Sequence, residues 1–147
     1  MHTSNRLLLP LIAAGLLVLG TTADGAVPSP GVKVTCARTA TTSFNITGTW
    51  SANDGGTYWI RQTGSCVWWA GFSGSPDTPT MGRNFANVFV GTVTTKGLVT
   101  GYWTDLPRGA TANAGTLNVQ VLGRPASRLT RRAVTGPFTG AVWSRLS

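Results

Sequence analysis

Short stretches rich in valine, threonine and aromatic residues recur along this chain, separated by glycine, asparagine, aspartate and proline. Stretches of this kind at regular spacing predict β-strands, and no helical apolar period competes with them. We therefore expect an all-β domain. The eight predicted strands cover residues 46–52, 57–62, 65–71, 86–94, 97–104, 116–122, 128–133 and 138–145.

Most of the connections between these strands are tight, which predicts an antiparallel meander. Eight such strands close into an up-and-down β-barrel, an arrangement that leaves no exposed sheet edge. Successive connections then alternate between the two ends of the barrel. The short turns at Thr63, Thr95 and Gly123 fall at one end, which we call the closed end. The opposite end, called the open end, collects the connections 53–56, 72–85, 106–115 and 133–137.

The first 26 residues have the pattern of a secretory signal peptide. His2 and Arg6 precede an apolar run over residues 7–20, and small residues follow it up to Ala26. The run is shorter than the roughly 20 apolar residues that cross a membrane. We expect a secreted protein, extracellular or periplasmic, with an N-terminal extension over 27–45 and a barrel domain over 46–147.

Cys36 and Cys66 are the two cysteines of the chain. In an exported protein an isolated pair of this kind predicts a structural disulfide. The bond would attach the N-terminal extension to the third strand. Closing this loop stabilises the fold by roughly 3 to 4 kcal/mol in the chain-entropy treatment.

The titratable residues argue against most catalytic chemistry. The chain has no glutamate, its single histidine is His2, and beyond the signal its carboxylates are Asp54, Asp77 and Asp105. A Ser-His-Asp triad lacks its imidazole, and no cluster has zinc-ligand spacing. We therefore predict no catalytic residue, no metal site and no cofactor. All three aspartates fall at the open end, where Asp54 with Asp105 would be the acid and base of a small glycoside hydrolase.

A two-residue turn at Asp54-Gly55 sets Trp50 opposite Trp59, and a turn after Gln62 sets Trp59 opposite Trp68. The sequence thus predicts a row of three tryptophans, with Arg61 on the same face. We assign this face to the barrel interior because the other face is more polar. The row is then either a filled core or the lining of a ligand cavity, and an inward Arg61 would need an anionic or strongly hydrogen-bonding partner.

Two further aromatic assignments depend on strand faces. A two-residue turn at Thr95-Lys96 or at Lys96-Gly97 places Trp103 and Asp105 on one face with Val88 and Val90, and Asn87 and Phe89 on the other. We predict that the Trp103 face is inner. Trp69 and its neighbour Tyr58 are expected to point outward. An exposed pair of aromatic residues predicts either a subunit contact in a homo-oligomer or a sugar platform.

The chain is basic, with a formal net charge of +8. Its densest cationic cluster consists of Arg124, Arg128, Arg131 and Arg132. The cluster is either a solvated strand and turn or a contact for an anionic envelope polymer, a membrane surface or nucleic acid. No aromatic residue interrupts the cluster, which argues against nucleic acid because stacking platforms are absent.

Ile46-Thr47-Gly48-Thr49-Trp50, followed by Asn53-Asp54-Gly55-Gly56-Thr57, resembles the opening of the avidin and streptavidin family. That family belongs with the lipocalins and fatty-acid-binding proteins to the calycin barrels. The resemblance extends to a basic residue near the end of the last strand, here Arg145. It implies a ligand in the barrel mouth, with the 72–85 connection as a lid. Ala52 stands where the avidin pattern has a polar ligand contact, and Asn53 comes one position late, so the implied ligand is a small molecule rather than biotin itself.

Three classes of function remain, in order of preference. The first is a secreted carrier or sequestering protein with a tryptophan-lined pocket, and the second is a protein- or glycan-binding module that uses loops and exposed aromatic residues. The third is a small hydrolase or isomerase. The predicted ligand-binding residues are Trp50, Asn53, Asp54, Trp59, Arg61, Trp68, Trp103 and Asp105.

Overall fold

The computed structural model describes residues 34–147, which form a closed barrel of eight antiparallel strands. Each strand pairs with its neighbour in sequence, and the last strand pairs with the first. The predicted fold class is therefore confirmed. The predicted signal peptide, residues 1–26, lies outside the described residues. The strands are β1 Gly48–Ala52, β2 Gly56–Thr63, β3 Cys66–Ser73, β4 Ala86–Val93, β5 Leu98–Asp105, β6 Ala114–Leu122, β7 Arg128–Val134 and β8 Val142–Arg145.

Up-and-down connectivity sorts the connections between the two ends as expected. The closed end carries residues 64–65, 94–97 and 123–127, all short. The open end carries residues 53–55, 74–85, 106–113 and 135–141, which include the longest connections of the barrel. Long loops on a rigid barrel are where binding residues are usually found.

The connection between β1 and β2 has three residues rather than the predicted two. Gly55 N donates to Ala52 O at 3.1 Å, and Gly55 has a φ of 76°. This is a turn whose last residue adopts the left-handed conformation, which glycine accepts readily. Trp50 therefore pairs with Tyr58 instead of Trp59. A change of one residue in loop length moves every side chain of the following strand to the other face.

The predicted tryptophan row is consequently wrong for β2 and β3. Trp59, Arg61 and Trp68 lie on the outer face, where Trp59 is 38% exposed. Tyr58 and Trp69, predicted to point outward, are buried inside the barrel. The turn between β2 and β3 falls at residues 64–65, one residue later than expected, which shifts the pairing of the two strands by two residues. A shift of two residues keeps the side chains of β3 on the same face relative to β2.

The same error recurs between β4 and β5. Gly97 N donates to Thr94 O at 2.9 Å, Gly97 has a φ of 78°, and Val93 pairs with Val99. Thr94 N also donates to Leu98 O at 2.9 Å, so the pairing continues to these two residues and the loop between them has three residues, 95–97. This loop places Phe89 on the face of Trp103, and Val90 points outward at 41% exposure. Trp103 is buried inside, as predicted, whereas the inward assignment of Val88 and Val90 is wrong.

Aromatic rings fill the middle of the barrel. Trp69 stacks on Phe89 with 4.2 Å between ring centroids. Tyr58 packs edge-to-face against both Trp69 and Trp143, each at 5.8 Å. Such pairs stabilise a core by about 0.5 to 1.5 kcal/mol each beyond simple burial. Of the two alternatives, a filled core and a deep ligand cavity, the barrel centre therefore has the filled core.

Arg145 and Trp50 complete the core at the closed end. The Arg145 guanidinium donates to the carbonyl oxygens of Asn45, Thr47 and Ala126, each at 2.7 Å, and lies 4.6 Å above the Trp50 ring. Burial lowers the pKa of Arg145. The indole Nε1 of Trp50 donates to Ile46 O at 3.0 Å. These contacts attach the last strand to the segment that precedes β1.

The disulfide between Cys36 and Cys66 is present and joins the N-terminal extension to the start of β3. The extension also contacts the arginine cluster, because Arg124 lies 5.0 Å above the ring of Phe44. Arg131 donates to two carbonyl oxygens of the 135–141 connection, while Arg128 and Arg132 are exposed. The described residues include no helix of the length and apolarity needed to span a membrane.

Candidate functional site

A cavity of about 170 Å³ lies at the open end, and we call it the mouth cavity. All four open-end connections contribute to it, together with the ends of β4 and β5. It is therefore assembled only when the barrel closes. Its lining consists of Asp54, Asn84, Phe85, Asn87, Trp103, Asp105, Thr111, Asn113, Pro137, Phe138 and Thr139.

Asp54 is half-buried in the β1–β2 connection, and two donors fix its carboxylate. Gly56 N donates to Oδ1 at 3.0 Å, and the Tyr58 hydroxyl donates to Oδ2 at 2.7 Å. Burial, followed by the charge of Asp54, raises the pKa of Tyr58 well above its usual range. Tyr58 is therefore a neutral donor, and Asp54 is held by it in a fixed orientation.

Asp105 is the second carboxylate of the cavity and is also half-buried. Its Oδ2 accepts from Asn113 N at 2.9 Å, while its own backbone N donates to Asn113 O at 2.7 Å. This pair of bonds attaches the 106–113 connection to the end of β5. The charge of Asp105 also contributes to the raised pKa of Tyr58, after burial and Asp54. Asp54 and Asp105 are thus brought to one cavity, as the sequence predicted.

Asn87 supplies a buried amide beside these carboxylates. Its side chain is 2% exposed, and its Oδ1 accepts from Trp69 Nε1 at 3.2 Å. A buried amide of this kind is stable only when it is hydrogen-bonded. The bond therefore orients Asn87 and connects the cavity to the aromatic core.

Trp103 and Phe138 form the aromatic wall. Their ring centroids are 4.9 Å apart and the ring planes meet at 64°, so that the two rings make a corner. Trp103 Nε1 donates to Thr135 O at 3.2 Å, which fixes the indole. Arg131 Nη1 donates to Phe138 O and Gly140 O, which holds the loop that carries Phe138.

Gly140 allows this loop to lie close to Asp54. A β-carbon at this position would stand 2.9 Å from Asp54 Oδ2, 2.9 Å from Phe138 Cε1 and 3.0 Å from Trp143 Cζ2. Each separation is shorter than an ordinary van der Waals contact between heavy atoms, which is about 3.5 to 4.0 Å for carbon. The absence of a side chain thus permits the aromatic wall and the carboxylate to share one cavity.

The long 74–85 connection contributes Asn84 and Phe85 to the rim. Ser73 Oγ accepts from the backbone N of both residues, at 3.0 and 3.3 Å. Ala110 N donates to Asn84 O at 3.1 Å, which joins this connection to the 106–113 connection. The last residues of the predicted lid are therefore attached to the barrel. Its movement over a ligand stays a prediction.

The structure brings three of the eight predicted ligand-binding residues to the mouth cavity: Asp54, Trp103 and Asp105. Asn53 does not line the cavity. Its side chain is directed to the start of β8, where Oδ1 accepts from Ala141 N at 2.8 Å and from Val142 N at 2.9 Å. Trp50 belongs to the core at the closed end. The remaining three, Trp59, Arg61 and Trp68, are on the outer face of the barrel.

Sequence reasoning did not identify Asn87, Phe138 or Asn113 as site residues. Asn87 and Phe89 were placed on the face opposite Trp103 because the β4–β5 loop was given two residues. Phe138 was assigned to the last strand, although the glycine and proline before it indicate a loop. A glycine at the third position of the 53–55 and 95–97 loops was the signal that could have corrected the faces.

The outer face carries an aromatic patch that we define as Trp59, Trp68, Val90 and Tyr102. Val90 pairs with Trp68 on one side and with Tyr102 on the other, and a shallow groove of about 260 Å³ lies along them. Trp59 contacts Phe72 with 5.9 Å between ring centroids.

Comparison with protein-family models, curated proteins and solved structures finds no match for this chain. Within residues 34–147 no three His, Cys, Asp or Glu side chains lie together as a metal site would require. The class is defined by architecture alone: an eight-stranded up-and-down barrel with an aromatic core and a polar, aromatic-walled cavity at one end.

Proposed function

We propose that this protein is a secreted carrier or sequestering protein that binds a small molecule in the mouth cavity. One observation supports this above all: four connections and two strand ends meet in a concave site that joins fixed carboxylates to an aromatic corner. Binding sites for small molecules have this composition, with mostly apolar walls and a few oriented polar groups.

The volume limits what the cavity accepts. Sites for drug-sized ligands usually enclose about 300 to 1,000 Å³, whereas the mouth cavity has about 170 Å³. The proposed ligand is therefore small, or only one end of it enters. Because aromatic residues fill the barrel centre, the ligand binds at the mouth and not deep inside the barrel.

Filling the cavity tests this proposal directly. Thr139 is exposed and lines the cavity, so Thr139→Trp places an indole in the ligand's space without altering the core. We expect a small-molecule screen, monitored by thermal shift and tryptophan fluorescence, to give ligands of the parent protein that Thr139→Trp no longer binds. The matched control is Thr95→Trp, an exposed threonine at the closed end, which should bind as the parent does.

Retention of a screened ligand by Thr139→Trp would contradict binding in the mouth cavity.

A second variant tests the role of the aromatic wall. Trp103→Phe keeps a ring but removes the donor to Thr135 O, and it should weaken binding while preserving most of the stability. Equal affinity of this variant and the parent would exclude Trp103 from the site.

The outer aromatic patch favours a second candidate function, recognition of a protein or glycan. Exposed apolar groups that lie together commonly mark interaction surfaces. Replacing Trp59 and Val90 by serine should abolish such binding but leave mouth-cavity ligands unaffected. Sedimentation analysis and binding to insoluble polysaccharides would measure it, and unchanged behaviour of the double variant in both assays would exclude this function for the patch.

A further inference from the structure

The mouth cavity has the opposite charge to the protein that contains it. The full chain carries a formal net charge of +8, yet the residues that line the cavity include two aspartates and no lysine or arginine. The charged groups that a ligand in the cavity contacts are therefore the two carboxylates.

The hydrogen bonds of these carboxylates come from neutral donors. Asp54 accepts from a backbone amide and from the Tyr58 hydroxyl, and Asp105 accepts from the amide of Asn113 at Oδ2. Within the described residues no hydrogen bond reaches Asp105 Oδ1. A half-buried carboxylate gains most from a partner that supplies both a proton donor and a positive charge.

The nearby arginines are directed elsewhere. Arg108 donates to Met81 O through Nε and Nη2, at 3.3 and 3.1 Å. Arg131 donates to the carbonyl oxygens of Phe138 and Gly140. Both guanidinium groups thus fix loop backbone, and neither lines the cavity.

The aromatic corner supplies the other half of a cation site. Trp103 and Phe138 meet at 64°, and Phe85 also lines the cavity. Aromatic faces attract ammonium and guanidinium groups, and recognition of organic cations commonly combines several rings with a carboxylate. The same rings pack against the methylene groups that such ligands carry.

We infer that the ligand of the mouth cavity is an organic cation, an ammonium or guanidinium group on a short apolar chain. This inference rests on the proposed function and narrows it to one chemical class. The charged group contacts Asp105 and Asp54, and the apolar chain packs in the Trp103–Phe138 corner. An anionic ligand would face two carboxylates at short range, while a neutral ligand would leave their charges uncompensated.

A series of matched probes tests the inference on the purified protein. The probes are n-pentylammonium, its neutral isostere 1-pentanol, n-butylguanidinium, the anion valerate and the neutral sugar methyl glucoside. We expect calorimetry at low ionic strength to give both cations at least about tenfold tighter binding than 1-pentanol, since hydrogen bonds to charged groups are the stronger ones. Valerate should not bind, and added salt should weaken the cations.

Three variants locate the contact. Asp105→Asn preserves the shape of the side chain and its acceptor for Asn113 N, and it should weaken cation binding about tenfold. Asp54→Asn should act in the same direction. The control is Asp77→Asn, which removes the same charge from an exposed loop at the same end; its φ of 65° is one that asparagine adopts. It should bind cations as the parent does.

Tighter binding of methyl glucoside, 1-pentanol or valerate than of the cations would overturn the cationic class but leave the mouth cavity as a binding site. Equal cation affinity in the parent and in the Asp54→Asn/Asp105→Asn double variant would place the cations elsewhere and also overturn the inference. Absence of cation binding would also overturn the inference. The Thr139→Trp comparison with screened ligands tests the proposed function independently of the cation probes.

Discussion

At the scale of single residues, Tyr58 connects the core to the site. Its ring packs against Trp69 and Trp143, and its hydroxyl holds Asp54 at 2.7 Å. The sequence indicated an outward Tyr58, because the two-residue turn placed it opposite the tryptophan row, on the more polar face. Only the pairing of β1 with β2 places it inside.

Tyr58→Phe removes this hydroxyl and keeps the ring. We expect the free energy of unfolding to fall by about 1 to 2 kcal/mol, because Asp54 loses a charge-assisted hydrogen bond in a half-buried position. Tyr102→Phe, the same substitution on the outer face, should change it by less than about 0.5 kcal/mol. Urea denaturation measures both, and similar losses in the two variants would contradict the role given to the Tyr58–Asp54 bond.

At the scale of elements, two three-residue loops decide which faces of the strands point inward. Gly55 and Gly97 end these loops with φ values of 76° and 78°. Each loop adds one residue to the two-residue turn expected from local propensity. One strand of each pair therefore changed face: β2, and β3 with it, after the first loop, and β4 before the second. The β2–β3 turn lies one residue later than expected, which shifts the pairing by two residues and exchanges no face.

Gly55→Ala tests the conformation of the first loop. A β-carbon at Gly55 has no heavy atom within 4 Å, so only the positive φ opposes the substitution. The expected loss of stability is about 1 to 2 kcal/mol, the cost of a left-handed conformation for alanine. Gly55→Asn should cost less, since asparagine adopts this conformation more readily. Thermal or urea unfolding would show the order, and an alanine variant as stable as the parent would argue for a different turn.

At the scale of the whole molecule, the barrel divides its six tryptophans into two groups. Trp50, Trp69, Trp103 and Trp143 are buried, and Trp59 and Trp68 lie on the outer face. The first group forms the core and one wall of the mouth cavity. The second belongs to the outer aromatic patch, none of whose four residues lines that cavity.

Acrylamide quenching distinguishes the two groups in solution. We expect Trp68→Phe to remove a quenchable part of the emission and Trp69→Phe, its neighbour in sequence, to leave that part intact. The reason is that Trp69 is 3% exposed and stacked on Phe89, whereas Trp68 faces outward. The reverse result would mean that the register of β3 is shifted by one residue.

The sequence by itself determined the β class, the eight strands, the division of loops between the two ends and the pairing of Cys36 with Cys66. These follow from local alternation, turn residues and the small number of thiols, which are properties of neighbouring residues. It also brought Asp54, Trp103 and Asp105 to the open end, because each lies near the end of a strand or in a turn there.

The tertiary structure decided which faces point inward, and with them the positions of Tyr58, Trp59, Trp68 and Trp69. Face assignment depends on whether a loop has two or three residues. The difference in free energy between two such turns is small compared with the free energy gained by burying a whole strand face. Asn87, Phe138 and Asn113 reach the mouth cavity only through strand pairing and loop packing between distant segments. Barrel closure is the physical event that brings them beside Asp54 and Asp105.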